Sequence, residues 1–271
     1  RLGGNSVKAY LVLDRVERHY RRTIGPEMFL RCKTIREMAE YLESAAPDPD
    51  SPKTFQSAAA DTSSDRRIAV TGLALRVPGA KTREAFWHNL VTGTDTIRKV
   101  SDKRKRLAGR PDWDEWIGEL EDVERFDNDF FDISDQEAVC MDPQIRLLLE
   151  VAYEALEDAG VLAETDDRRK IGVYAGGSES TYYHLVLDHV RKHGTPAIHP
   201  NAMVGNMSNM HAAYLSRQFN FSGPAVTVHT ACSSFLAAVH HAVTAIRQGQ
   251  IAAAVVAGAN VLSTPDIQHL S

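Results

Sequence analysis

The residue whose type and position point most directly to chemistry is Cys232, in the stretch Val226 to Ala242 that reads VTVHTACSSFLAAVHHA. Val226 and Val228 alternate as in a strand, and Leu236, Ala237, Val239, Val243 and Ile246 then recur at helical spacing. Thr230-Ala231-Cys232-Ser233-Ser234 lies between, so the thiol falls where a buried strand turns into a helix N-terminus. Unpaired N–H groups and the positive end of the helix dipole favour thiolate over thiol at such a place. A free cysteine titrates near about 8.5, so at neutral pH it needs such help to be a good nucleophile. Free cysteines are also commonly buried and inert, and position alone leaves both readings open. His229 lies just upstream, but strand geometry does not obviously aim it at the thiol. His240 and His241 fall on the following helix, packed or exposed.

The composition narrows the setting. The chain has 271 residues, 43% of them hydrophobic, enough for one large domain or two modest ones. A net charge of −5 argues against nucleic-acid or membrane-surface binding. None of the 11 histidines has zinc-site spacing with a cysteine, so no metal is expected. The cysteines Cys32, Cys140 and Cys232 are too few and scattered for a disulfide framework, which suggests a reducing, cytoplasmic compartment. The longest nearly apolar run, Ile251 to Leu262, is too short to span a bilayer.

The elements that must position Cys232 follow from patterning. Arg1 to about Ser44 is helical, with Thr34-Ile-Arg-Glu37 a capping box and Ile35, Met38, Ala39 and Leu42 on the buried side. Residues 45–65, rich in Pro, Ser, Ala and Asp, read as a flexible linker. Ile68 to Leu73 reads as a buried strand, and Thr82 caps a helix through Val91. Lys99, Lys103, Arg104, Lys105 and Arg106 form a basic cluster, read as a solvated loop in preference to a docking patch for an acidic partner. Ser134-Asp-Gln-Glu137 is a second capping box, and Asp142-Pro143 starts a long helix ended by Gly160. Its buried face is Leu147, Leu148, Val151, Ala152, Ala155 and Leu156. Lys170 to Ala175 is a strand, and residues 178–200 read as an irregular loop near a substrate entrance. Met203 to Phe219 is helical, Ala225 to Thr230 a strand, Ser233 to Gln248 a helix and Ala252 to Ala257 a strand. Alternating strands and helices imply an α/β domain with a largely parallel sheet covered on both faces.

Several of these stretches, in order, resemble the ketosynthase domain of modular polyketide synthases. They are Ile68-Ala-Val-Thr-Gly-Leu-Ala-Leu-Arg-Val-Pro-Gly79, Phe126-Asp-Asn-Asp-Phe-Phe-Asp-Ile-Ser134 and Met141-Asp-Pro-Gln-Ile-Arg-Leu-Leu-Leu-Glu150. Ser222-Gly-Pro224 before Thr-Ala-Cys-Ser-Ser, and Gly258-Ala-Asn-Val-Leu-Ser-Thr-Pro265 after it, complete the match. Leu2-Gly-Gly-Asn-Ser6-Val-Lys-Ala9 resembles the phosphopantetheine attachment motif of carrier proteins, nearest the peptidyl-carrier form, although Asn5 stands where Asp is common. On residue type alone, Ser6 is equally a helix N-cap.

The resemblance implies the N-terminal half of a thiolase-type αβαβα fold over 66–271, preceded by part of an all-α carrier bundle over 1–44. It implies 4'-phosphopantetheine on Ser6, placed there by a phosphopantetheinyl transferase, and a polyketide synthase that is pure or hybrid with peptide-synthetase modules. Cys232 would accept an acyl chain from a carrier thioester and condense it with a malonyl-type extender by decarboxylative Claisen chemistry. Its own backbone N–H is a candidate oxyanion donor. Partners implied are acyl carrier domains and acyl thioesters, with a homodimer formed through the strand before the cysteine. The family's two histidine motifs do not occur in this sequence, so residues 1–271 alone are expected not to condense. Phe235, Tyr214 and Arg217 depart from the family pattern and bear on substrate preference; Phe235 would narrow the acyl tunnel. The rival readings are a ketosynthase that only transfers acyl groups, and a structural or docking module whose cysteine is inert.

Overall fold

A computed structural model describes Val16, His19, Cys32 and residues 34–44, 67–161 and 171–265. Ser6, its motif and residues 45–65 lie outside the described residues. The chain divides into two compact units, Arg1–Asp65 and Arg66–Ser271. In the first, helix α1 (Ile35–Ser44) begins at the capping box read from the sequence. Glu37 N donates to Thr34 Oγ1 at 3.2 Å and Thr34 N to Glu37 Oε2 at 3.1 Å. Met38 and Tyr41 are half-buried, whereas Ala39, expected inside, is exposed.

The second unit is built on three parallel strands, β3 (Ile171–Gly176), β4 (Ala225–Val228) and β5 (Ala253–Gly258), in the order β4-β3-β5. All six residues of central β3 are buried, as a short apolar strand covered on both faces requires. Alternate residues serve the two faces. Ile171, Val173 and Ala175 pack in one cluster with helices α5 (Pro143–Asp158) and α7 (His211–Gln218), while Tyr174 packs with Ala238, Ala242 and Ala245 of α8 (Ser234–Arg247). The α5 helix buries Ile145, Leu148, Leu149, Ala152 and Leu156, and ends before Gly160 at φ 72. Strand β4, expected to be buried, lies at the sheet edge with Ala225 and Val226 exposed.

Around this sheet lie α2 (Arg83–Thr92, capped by Thr82), the short antiparallel pair β1 (Arg98–Lys99) and β2 (Trp116–Ile117), α3 (Asp102–Ala108), α4 (Asp135–Cys140) and α6 (Tyr182–His193). The basic cluster is not a loop: Lys103, Arg104, Lys105 and Arg106 lie in α3 and Lys99 in β1. Arg104 is buried and donates to Leu120 O and Leu262 O at 2.8 Å each, and Lys99 and Lys103 pair with Asp114 and Asp122.

Three further expectations are corrected. Residues 68–73 form no strand, because no described strand lies beside them to complete a ladder; Val70 is 82% exposed. The segment crosses α5 instead. A Cβ on Gly72 would stand 2.1 Å from Ala155 O, Leu73 N donates to Asp158 Oδ2 at 3.0 Å, and Arg76 pairs with Glu154. Residues 182–193, read as loop, are helix α6. Its start was hidden because Thr181 caps nothing: Oγ1 instead donates to Val261 O and accepts from Ser263 N. Tyr182, Val186 and Val190 do recur at helical spacing, although only Val186 is buried. Residues 203–210, read as α-helix, are 3₁₀ turns before α7. Their polar groups are drawn outward: Asn206 Nδ2 donates to Cys140 O, and Gly205 O accepts from Asp142 N.

Candidate active site

Cys232 is exposed on the turn between β4 and α8. The turn is tied to itself. Ser233 N donates to Thr230 O at 3.3 Å and Ser234 N to Ala231 O at 3.1 Å. Thr230 N donates to Ser234 Oγ at 2.9 Å, and that hydroxyl donates to Ala231 O at 2.7 Å. Ser233 Oγ lies 2.7 Å from Thr230 O. Ala231 takes the left-handed conformation, φ 55, which suits a small side chain in a reversal this tight. None of these bonds uses the Cys232 N–H, and Ser233 makes no side-chain cap. The positive end of a 14-residue helix therefore opens beside an exposed thiol. Together the thiol and these N–H groups suit acyl transfer, in which sulfur attacks a carbonyl and negative charge develops on its oxygen.

Glycines at the C-terminal strand ends let the helix come down onto the sheet. A Cβ on Gly176 would lie 2.7 Å from Phe235 N, and one on Gly258 3.1 Å from the Phe235 ring. Phe235, at the first turn of α8, is thereby seated across the ends of β3 and β5 and is 47% exposed as a residue. The C-terminal ends of parallel strands are where loops from several elements meet, and Cys232 stands at that edge.

Beneath the loops lies a polar floor that sequence reading missed. Gln144 is fully buried and accepts from Ser178 Oγ at 2.8 Å and Val261 N at 3.3 Å. Its Nε2 donates to Asp142 Oδ2 at 3.1 Å, while Asp142 Oδ1 caps α5 through Gln144 N at 2.8 Å. Ser178 Oγ also lies 3.0 Å from Asn260 Oδ1, and Ser180 Oγ donates to Asn206 Oδ1. The loops after β3 and β5 are thus joined to the start of α5. The available signal was Gln144 itself, an amide on the apolar face of a long helix.

His229 is exposed, as are His240 and His241, whose rings are 5.8 Å apart on α8. Tyr214 is buried and Arg217 exposed. His211, which sequence reading did not single out, is 1% exposed, and burial holds its imidazole below the ordinary range. Two surface concavities, of about 400 and 290 Å³, lie over α3 and between α4 and residues 196–199, and Cys232 lines neither. Among the described residues no three metal-ligating side chains are grouped, and no helix is long and apolar enough to cross a membrane.

Comparison with known proteins places these features in context. The family model for the β-ketoacyl synthase N-terminal domain matches residues 65–270, and that for the phosphopantetheine attachment site matches residues 1–42. The chain is 32% identical to polyketide synthase PksM of Bacillus subtilis over 97% of its length, and covers 7% of that protein. It is 36% identical to a phenolphthiocerol/phthiocerol polyketide synthase of Mycobacterium tuberculosis over 98% of its length, covering 14% of that protein. Among solved structures, the ketosynthase from module 6 of the bacillaene synthase of Bacillus subtilis matches at 35% identity and a TM-score of 0.62. That match covers 74% of this chain and 32% of that one. An oxazolomycin ketosynthase domain of Streptomyces albus matches at 32% identity and the same TM-score of 0.62, with 74% and 35% covered. The architecture is the thiolase-type fold of ketosynthases.

Proposed function

Because the chain belongs to the β-ketoacyl synthase family and opens with a unit for covalent 4'-phosphopantetheine, we propose that it is the carrier and ketosynthase portion of a modular polyketide synthase in which Cys232 holds the growing acyl chain. Residues 1–44 are the carrier part, with Ser6 as the attachment residue; 45–65 are a flexible linker; 66–271 are the ketosynthase part. The observation that carries this reading is the presentation of Cys232, exposed on a self-bonded turn at the open N-terminus of α8.

In the loading step Cys232 Sγ attacks the carbonyl of a carrier thioester. The carbon–sulfur bond to the carrier breaks, and the carrier thiol leaves with the proton. The backbone N–H groups at the start of α8 would serve as donors to the transient oxyanion. In the second step a malonyl-type extender loses carbon dioxide. The resulting carbanion attacks the Cys232 thioester, a carbon–carbon bond forms, the acyl–sulfur bond breaks, and the departing Cys232 thiolate takes a proton from solvent. The partners are acyl carrier domains and, for Ser6, a phosphopantetheinyl transferase. Strand β4 has one neighbour in the sheet and an exposed Val226, which suits a homodimer joined through its free edge. Three free cysteines suit a reducing, cytoplasmic setting.

Acyl loading followed by intact-mass spectrometry tests the assignment. The wild-type protein should gain one acyl mass from a thioester donor, and Cys232→Ala none. For Ser6, a phosphopantetheinyl transferase should add one prosthetic group that Ser6→Ala blocks; addition at another serine would reject that residue.

A further inference from the structure

We propose that His211 is a positioning residue for the Cys232 turn, acting through the imidazole of His229. His211 is 1% exposed, yet neither of its ring nitrogens has a hydrogen-bond partner among the described residues. A neutral imidazole carries one donor and one acceptor, and leaving both unmade in the interior is costly.

The surroundings single out the partner. A Cβ on Gly177 would lie 2.3 Å from His211 Nδ1, so the ring fills the space over that glycine. Gly176 pairs with Val228 at the end of the β3–β4 ladder, and continuing the register sets Gly177 beside His229. Thr227 faces α7, since its Oγ1 accepts from Ala212 N at 3.2 Å and donates to Asn209 O at 3.0 Å. Two residues further along an extended chain the side chain returns to the same face, and that residue is His229. The charged neighbours agree. Burial disfavours the charged form of His211; the Asp142 and Glu179 carboxylates oppose this, and His229 reinforces it. Asp142 is occupied by Gln144, and Glu179 accepts from Ser208. His229 is exposed and makes no hydrogen bond among the described residues, so its ring is the available partner.

An N–H···N bond between the rings, which a turn of the exposed His229 side chain would complete, would hold the backbone where the chain leaves β4. From there it must pass through left-handed Ala231 to present Cys232. A conformation of that kind persists where its surroundings over-determine it, and that bond would supply a constraint at the entry to the turn.

This inference rests on Cys232 being the acylated residue. The test measures loading from the acetyl thioester of N-acetylcysteamine in the intact protein, for Cys232→Ala, His211→Leu, His229→Asn and the double histidine variant. Each single histidine variant should load about tenfold more slowly, and the double variant no more slowly than the slower single, as for two members of one contact. The His211 imidazole ¹⁵N resonances should shift from their wild-type positions on His229→Asn, an exposed change that leaves the core intact. Wild-type loading in His211→Leu, effects that multiply to about a hundredfold, or unmoved ¹⁵N resonances would overturn the inference alone. Undiminished loading in Cys232→Ala would overturn the site assignment, and this inference with it.

Discussion

Helices α5 and α8 each begin just after a cysteine, and their N-termini are built in opposite ways. At α5, Cys140, Met141, Asp142 and Gln144 are all buried; Asp142 caps the first turn, and Pro143 removes an N–H that would otherwise need a partner. At α8, residues 229–233 are exposed, the N-cap Ser233 bonds only within its own turn, and Ala231 is left-handed. The first arrangement satisfies a helix end inside the molecule and makes it an anchor. The second leaves a helix end open and sets a thiol beside it, so that an incoming group supplies the missing partner. The same chemical type, cysteine, is buried in one junction and exposed in the other. The difference lies in the capping and burial around it.

The comparison is most sharply broken at the cysteines. Cys232→Ala should reduce acyl loading by about three orders of magnitude or more. Cys140→Ala should load normally and only lower the melting temperature. Equal alkylation of the two thiols by iodoacetamide in the folded protein would erase the distinction.

Next in size come the glycines under α8. Gly176→Ala drives a Cβ into backbone at 2.7 Å and should cost about 1–3 kcal/mol while also slowing loading, because the start of α8 must lift. Gly258→Ala meets only a ring atom, at 3.1 Å, and should cost less than about 1 kcal/mol. Urea melts paired with loading rates separate the two.

The caps themselves should differ. Asp142→Ala removes a buried cap and the acceptor of Gln144 Nε2, a loss of about 2 kcal/mol. Ser233→Ala removes an exposed contact within the turn and should change stability by less than about 0.5 kcal/mol. If denaturant unfolding gave equal losses, the contrast between anchored and open helix ends would fail.

The smallest effect is a pH dependence. Burial lowers the pKa of His211 in the folded state, so the unfolded chain binds the proton more readily. The stability His211 contributes is present above its unfolded value of about 6.5 and is lost as pH falls below it. Melting curves between pH 7 and 5 should show a steeper decline in the wild-type protein than in His211→Leu.

Local signals were legible where a residue's role is settled within a few neighbours along the chain. The capping residues Thr34, Thr82, Ser134 and Asp142, the stop at Gly160 and the strand–turn–helix around Cys232 could all be read directly, because caps and turns are satisfied by residues two to four positions away. The parallel sheet followed from the alternation of elements. Residues 68–73 misled because an apolar run becomes a strand only when another strand pairs with it. Helix α6 was hidden because its cap position serves the loop after β5 instead. The amino-acid sequence by itself determined the family, the parallel sheet with most of its helices, and the strand–turn–helix junction that carries Cys232. Only the tertiary structure decided which polar groups meet under the loops at the strand ends. Gln144, Ser178 and Asn260 come from three separate stretches, and packing around the strand ends, which no local period encodes, joins them in one hydrogen-bonded network.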